Sequence, residues 1–293
     1  MDCYEITSGT ECYEVIISRN LNNAAFVYFS NDCYNVKFIY DCKNCHDCFG
    51  GVNLRNKQYC FFNEQLTKEE YEKRVAAINL GNKDELQKME QKFWELVKAN
   101  PIRGTRNEQA LHSQGNFILN SRNCYECYKA ENCENIRYGE KTIGNKDSMD
   151  YSTSGGSELL YETIAVGSQS SNVKFSFGSK FITDSEFVIN CRNVNNCFAC
   201  IGLENKSYCI FNKQYTPEEY MARVDKLKAA MLGKGVYGEF FPLRFSPYAY
   251  TDSFASATFR LQEASAIALN APWYDAKEDE VSLQNLETLG PQD

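Results

Sequence analysis

One stretch of the chain occurs twice. Residues 41–75 read DCKNCHDCFGGVNLRNKQYCFFNEQLTKEEYEKRV, and residues 190–224 read NCRNVNNCFACIGLENKSYCIFNKQYTPEEYMARV. The two align without a gap, with Cys42 opposite Cys191, Cys48 opposite Cys197, Cys60 opposite Cys209 and Thr67 opposite Thr216. A fold for this chain must therefore supply the same local environment twice.

A finer beat of roughly 11 residues runs inside each copy. Short β-prone runs recur, such as Ala25-Phe26-Val27-Tyr28-Phe29, Val36-Lys37-Phe38-Ile39-Tyr40 and Tyr59-Cys60-Phe61-Phe62. Asn, Asp, Ser and Gly crowd the gaps, and these residues accept the left-handed backbone of tight turns. Short strands at a fixed period predict a mainly β fold with helical insertions, a β-solenoid of the parallel β-helix kind built from the internal duplication. A β-sandwich or barrel is the competing arrangement. In a solenoid register Cys48, Cys197, Cys60 and Cys209 point inward, Asn56 and Asn205 sit in turns, and Lys57 and Lys206 face solvent.

Helical signals interrupt the pattern. Thr67-Lys68-Glu69-Glu70 and Thr216-Pro217-Glu218-Glu219 both read as capping boxes. A second helix from near Asp84 to Asn100 follows the first copy alone, ended by Asn100-Pro101. The chain thus divides into a first solenoid copy (1–65), a helical hairpin insertion (66–100), a longer second solenoid segment (101–215), a helix (216–232), and an aromatic C-terminal segment with an acidic tail (233–293). Residues 236–250 are expected to pack over the solenoid end, and 262–272 to hold a short helix. Because only one copy has the second helix, its deletion is expected to leave the fold intact.

The 293 residues carry a formal net charge of −8, which disfavours non-specific nucleic-acid binding. No window has the apolar length of a membrane span. The start Met1-Asp2-Cys3-Tyr4-Glu5 shows no basic region followed by an apolar run, so the 14 Cys are expected as free thiols or metal ligands in a reducing, cytoplasmic setting.

Those cysteines are the feature best suited to chemistry. Cys42, Cys45, Cys48 and Cys60 in the first copy, and Cys191, Cys197, Cys200 and Cys209 in the second, are candidate ligands for structural zinc. The other reading is a packing ladder of small buried thiols. The exchange of Cys45 for Val194 and of Gly51 for Cys200 favours packing, since a tetrahedral site rarely relocates a ligand. In that ladder, Ser at Cys48 or Cys197 is expected to cost more than Ala. With two His, His46 and His112, and no phosphate-binding fingerprint, no catalytic residue is predicted.

Cys197-Phe198-Ala199-Cys200 through Tyr220, followed by Gly238-Glu239-Phe240-Phe241-Pro242 and Ser246-Pro247-Tyr248, resembles a module of uncharacterised cysteine-rich repeat proteins of candidate-phylum bacteria. Those proteins carry CFGCxxLxNKxYCIFNKQYTxEEY followed by GEFFPxxxSPxxY, often ahead of a zinc ribbon. The resemblance covers most of residues 30–75 and 185–250. No Cys follows Cys209, so zinc bound by that ribbon does not transfer. The resemblance implies a fold and no activity.

The expected function is a non-enzymatic scaffold that binds a protein partner or assembles with itself, with no cofactor. One alternative is a zinc-binding protein within a larger, nucleic-acid-associated assembly. Another is a carbohydrate-active enzyme with a carboxylate-lined groove.

Overall fold

The computed structural model describes residues 2–274. The chain divides into two compact units, Met1–Gly104 and Thr105–Asp293. The first holds a five-stranded sheet of β1 (Tyr4–Tyr28), β2 (Asn31–Tyr40), β3 (His46–Val52), β4 (Gln58–Phe61) and β5 (Glu64–Gln65) in sequential order. Helices α1 (Lys68–Ala76) and α2 (Lys83–Ala99) follow. The second holds an eleven-stranded sheet: β6 (Glu108–Leu111), β7 (Gly115–Tyr125), β8 (Cys127–Glu131), β9 (Glu134–Ile143), β10 (Lys146–Gly155), β11 (Glu158–Ile164), β12 (Ser171–Phe177), β13 (Lys180–Ile189), β14 (Arg192–Ile201), β15 (Glu204–Ile210) and β16 (Lys213–Gln214). Then come α3 (Pro217–Gly233), a 3-10 turn at Leu243–Phe245, α4 (Phe254–Phe259) and α5 (Glu263–Ala268). Pairing is parallel throughout except for the terminal β4–β5 and β15–β16 hairpins. The fold is mainly β with helical insertions, in two long, largely parallel sheets.

The repeat is twelve residues, not the eleven expected. Val36 pairs with Cys48, Cys48 with Cys60, and Cys197 with Cys209. The expectation rested on aromatic runs, whereas the backbone keeps a triplet. Every third residue from Glu5 to Phe62 has φ between +44° and +72°. The residue after each of these lies at a mostly buried position, as in Val27, Ser30, Cys33, Val36, Ile39, Cys42, Cys45 and Cys48. The second unit keeps this rule from Phe117 onward. Its phase slips by one at Ser168–Gln169, where β11 and β12 pair at an offset of thirteen.

This backbone explains the composition. A left-handed L-residue costs about 1–2 kcal/mol, least for Asn and Asp, whose short polar groups bond locally. The Asn and Asp at these corners also bond along the stack. Asn20 Nδ2 donates to Asp32 Oδ1 (2.8 Å), Asn44 to Asn56 (3.1 Å), Asn123 to Asn135 (2.9 Å) and Asn193 to Asn205 (2.6 Å). Asn56 and Asn205 thus hold left-handed corners, Asn205 within β15 and not in a turn, and Lys57 and Lys206 are exposed as expected.

Buried positions favour Ser and Cys for a related reason. Ser30 N–H donates to Ser18 Oγ (3.1 Å), Cys42 N–H to Ser30 Oγ (3.0 Å), and Cys197 N–H to Ser185 Oγ (3.0 Å). Each hydroxyl also donates to the carbonyl two residues before it, as Ser30 does to Tyr28 O at 3.0 Å. A small side chain with both donor and acceptor capacity therefore satisfies inward-facing backbone groups.

Each sheet ends in the same device. Asn63 Oδ1 accepts from Val52 N–H (2.8 Å) and its Nδ2 donates to Val52 O (3.0 Å); Asn212 treats Ile201 alike (2.9 and 2.8 Å). Gln65 and Gln214 donate to Gln58 O and Ser207 O. These amides close an edge that would otherwise present unpaired backbone. The helix that follows starts on Thr67 or Thr216. The full capping box forms at Thr216, while the Thr67 side chain accepts from Glu70 N–H.

Candidate functional site

The eight candidate metal ligands are all buried, Cys42, Cys45, Cys48, Cys60, Cys191, Cys197, Cys200 and Cys209 being 0–2% exposed. They occupy inward triplet positions, so Cys42, Cys45 and Cys48 are successive buried residues of one stretch. Cys48 stacks on Cys60 and Cys197 on Cys209. Cys33, which the sequence reading left out, is buried in the same cluster as Cys42 and Cys45. The signal was the twelve-residue spacing from Cys33 to Cys45. All 14 cysteines are free thiols, and among the described residues no group of three or more His, Cys, Asp and Glu is arranged to hold a metal ion.

Sulfur here does what the serine hydroxyl does. Cys48 Sγ donates to His46 O (3.3 Å), and Cys200 Sγ accepts from Asn212 N–H (3.4 Å). Backbone groups of Leu54, Lys57 and Cys60 act on the Cys42, Cys45 and Cys48 thiols in the lowering direction. Burial pushes the Cys48 thiol up to about 12 and raises Cys60, Cys191 and Cys209 as well. Thiol hydrogen bonds from Cys33 and Cys42 lower Cys45, and one from Cys197 lowers Cys200, each at the donors' expense. The relocated residues compensate in volume. Gly51 leaves room above Ile39 in the first copy, whereas Cys200 stands over the smaller Val188 in the second.

His46 is not part of this interior. Its ring stacks on Tyr34 at 4.7 Å, and Nδ1 lies 2.8 Å from Asp47 Oδ2. A shallow groove beside it is lined by Lys37, Asp47, Tyr59, Tyr71 and Glu72. Two further carboxylates, Asp150 and Glu162, are raised by burial, and for Glu162 also by the charges of Asp150 and Glu239. They sit on adjacent strands of one face, side by side.

The outer aromatic columns are covered differently in the two copies. Phe26 stacks on Phe38 (4.4 Å) and the equivalent Phe175 on Phe187 (4.5 Å). In the first unit α2 covers this face, with Phe93 only 1% exposed and 5.8 Å from Phe38. In the second, Tyr237 and Phe241 contact Phe175 and Phe187 instead. Residues 236–241 therefore lie on the flank of the sheet, not over its end as expected, because the exposed aromatic column is there. Glu186 anchors them: Lys228 Nζ lies 2.8 Å from Oε1, and Tyr237 OH donates to Oε2 at 2.9 Å.

No family model matches the chain, and no curated protein does. The resemblance of the CFAC-to-EEY module rests on its own residues.

Beyond this anchor lies the most exposed apolar element among the described residues. Tyr250 and Trp273 stack at 5.9 Å, Tyr250 N–H donates to Pro272 O, and Leu261 N–H donates to Tyr250 OH. These contacts close residues 250–273 into a small loop carrying α4 and α5. Phe254 and Phe259 on α4, a helix not foreseen from sequence, are 87% and 70% exposed. The expected short helix within 262–272 is α5. The acidic tail from Asp275 lies outside the described residues. No described helix is long and apolar enough to cross a membrane.

Proposed function

We propose that the chain is a non-enzymatic interaction scaffold: two closed, four-sided β-solenoids that present the α4–α5 element to a protein partner. Twelve residues per repeat with a buried position every third residue correspond to four sides of three residues each. A left-handed corner precedes each buried position. The stacked Ser, Cys and Asn give each repeat bonds to the next, which suits a rigid support.

The observation that carries the partner reading is the exposure of Phe254 and Phe259 on one short helix. Large apolar groups left in water on a closed, anchored loop mark an interaction site. The terminal Asn-x-Gln hairpin gives the recurrent module a physical purpose, and we extend that purpose to the cysteine-rich proteins it resembles.

The test is site-specific photo-crosslinking in the native host from positions 254 and 259. A common crosslinked protein from both positions, lost when the other Phe becomes Asp, supports the reading. Crosslinks no different from those at exposed Lys57 overturn it. Light scattering of the purified chain separates self-assembly from a foreign partner.

A further inference from the structure

The two copies carry opposite charges at one equivalent position, and only one of the two is satisfied from within its unit. Lys37 in β2 and Glu186 in β13 correspond under the offset that sets Phe38 opposite Phe187. Their registers agree, Lys37 pairing with Phe49 and Glu186 with the equivalent Phe198. Glu186 takes Lys228 Nζ at 2.8 Å, Lys174 Nζ at 3.6 Å and the Tyr237 hydroxyl at 2.9 Å. Lys228 stands on a part of α3 that α1 lacks, since α1 ends at Ala76, one residue past the equivalent of Val224. The first unit keeps an open groove of about 290 Å³ beside Lys37, bounded by β2, β3, β4 and α1.

The polar groups around this groove are unevenly engaged. Asp47 accepts from Asn35 Nδ2 and lies 2.8 Å from His46 Nδ1, and Glu72 lies 3.8 Å from Lys68 Nζ. Both carboxylates thus have partners. Lys37 is half-buried and pairs with no carboxylate among the described residues. Tyr71 is only 7% exposed, yet its hydroxyl bonds to nothing among the described residues, and neither does that of Tyr59. Polar groups so far withdrawn from water are ordinarily paired. What the groove has left to offer is one ammonium and two phenols able to donate, beside the apolar surface of Phe49 and Val75.

We propose that this groove binds a small organic carboxylate, its anionic end on Lys37 Nζ and the Tyr71 hydroxyl and its apolar body against Phe49 and Val75. The second unit shows the same recognition with the charges reversed, an ammonium and a phenolic hydroxyl meeting the Glu186 carboxylate. A monoanion fits better than a doubly charged phosphate. One ammonium is offset against it, and the nearby Asp47 and Glu72 repel any second negative charge. The volume matches the small end of the range for ligand pockets. This site lies in the first unit and does not depend on Phe254 or Phe259.

Titration of the full chain with acetate, 4-methylpentanoate and phenylacetate, followed through the methyl NMR signals of Val75, tests the assignment. Saturable shifts are expected at millimolar concentration for at least one of the two larger acids, with the corresponding amide about tenfold weaker. Lys37→Met should weaken binding about tenfold and Tyr71→Phe about threefold, while Lys37→Arg keeps most of it. Lys57→Met, at an exposed lysine outside the groove, should leave binding unchanged. The urea midpoint of each variant reports folding separately, and the acid-against-amide comparison needs no variant at all. Absence of saturable shifts with all three acids overturns the proposal, as does equal binding of acid and amide or binding that survives in folded Lys37→Met. Tighter, Lys37-dependent binding of inorganic phosphate overturns the choice of a carboxylate.

Discussion

Asn63 holds Val52 by both of its backbone groups, one side-chain amide standing in for the next strand's peptide. The same pair recurs as Asn212 and Ile201, so the device belongs to the module and not to one accident of packing. Asn63→Ala and Asn212→Ala each remove the donor and the acceptor that satisfy the backbone at the end of β3 and of β14. Each is expected to cost about 1–3 kcal/mol in urea unfolding and to increase aggregation through the opened edge. Asn63→Asp keeps the acceptor alone and should fall between.

The interior serines reverse the expected order of cysteine substitutions. Ser at Cys48 or Cys197 can repeat both bonds made by neighbouring serines, to the carbonyl two residues back and from the N–H twelve residues on. Cys48→Ser is therefore expected to change stability by less than about 1 kcal/mol. Cys48→Ala removes the acceptor and opens a cavity, with a cost on the order of 1–3 kcal/mol. Equilibrium unfolding of the two variants decides the order.

Metal content is a separate measurement. Packed thiols predict substoichiometric zinc and iron in protein purified without chelator, and a melting temperature that chelator leaves unchanged. Stoichiometric zinc whose removal unfolds the chain would show that the sulfurs converge on an ion, because binding free energy would then appear as stability.

Phe93 bears directly on the expectation that the second helix is dispensable. It is buried in one cluster with Phe26, Phe38, Phe49 and Val97, so deleting 82–100 bares the aromatic column. Phe93→Ala is expected to cost about 3–5 kcal/mol, read from urea unfolding. The equivalent column of the second unit should be unaffected.

Asp41 gives the first unit an acid dependence. Burial alone would raise its carboxyl, but the bonds and charges of Arg103 and Arg55 outweigh burial and hold it below its ordinary value. Arg103 Nε and Arg55 Nη2 each lie 2.8 Å from its oxygens. A lowered folded pKa stabilises the fold above the unfolded value of about 3.9, and the contribution is lost as pH falls through the folded value. Asp41→Asn should flatten the pH dependence of the urea midpoint below about pH 4 while lowering stability at pH 7.

The duplication, the β character, the helix starts at Thr67 and Thr216 and the burial of Cys48, Cys60, Cys197 and Cys209 were all legible in the residues. Each depends on local chemistry or on the repetition itself. The period was not, because the aromatic runs that suggested eleven residues lie on the outer faces, where spacing is loose. The triplet that fixes twelve is carried by backbone φ, and side chains as different as Asn44, Phe38 and Tyr59 share the left-handed region. The place of Cys33 in one cluster with Cys42 and Cys45 followed from that register and was missed with it.

Sequence alone also determined that the two copies would occupy matching places, Cys48 with Cys197 and Cys60 with Cys209. It did not determine what lies on them. Phe93 reaches the first copy from a helix and Tyr237 the second from an extended segment, joined to the sheet by Glu186. Hydrophobic burial is non-directional, so either element satisfies an aromatic face, and only the tertiary structure decided which one did.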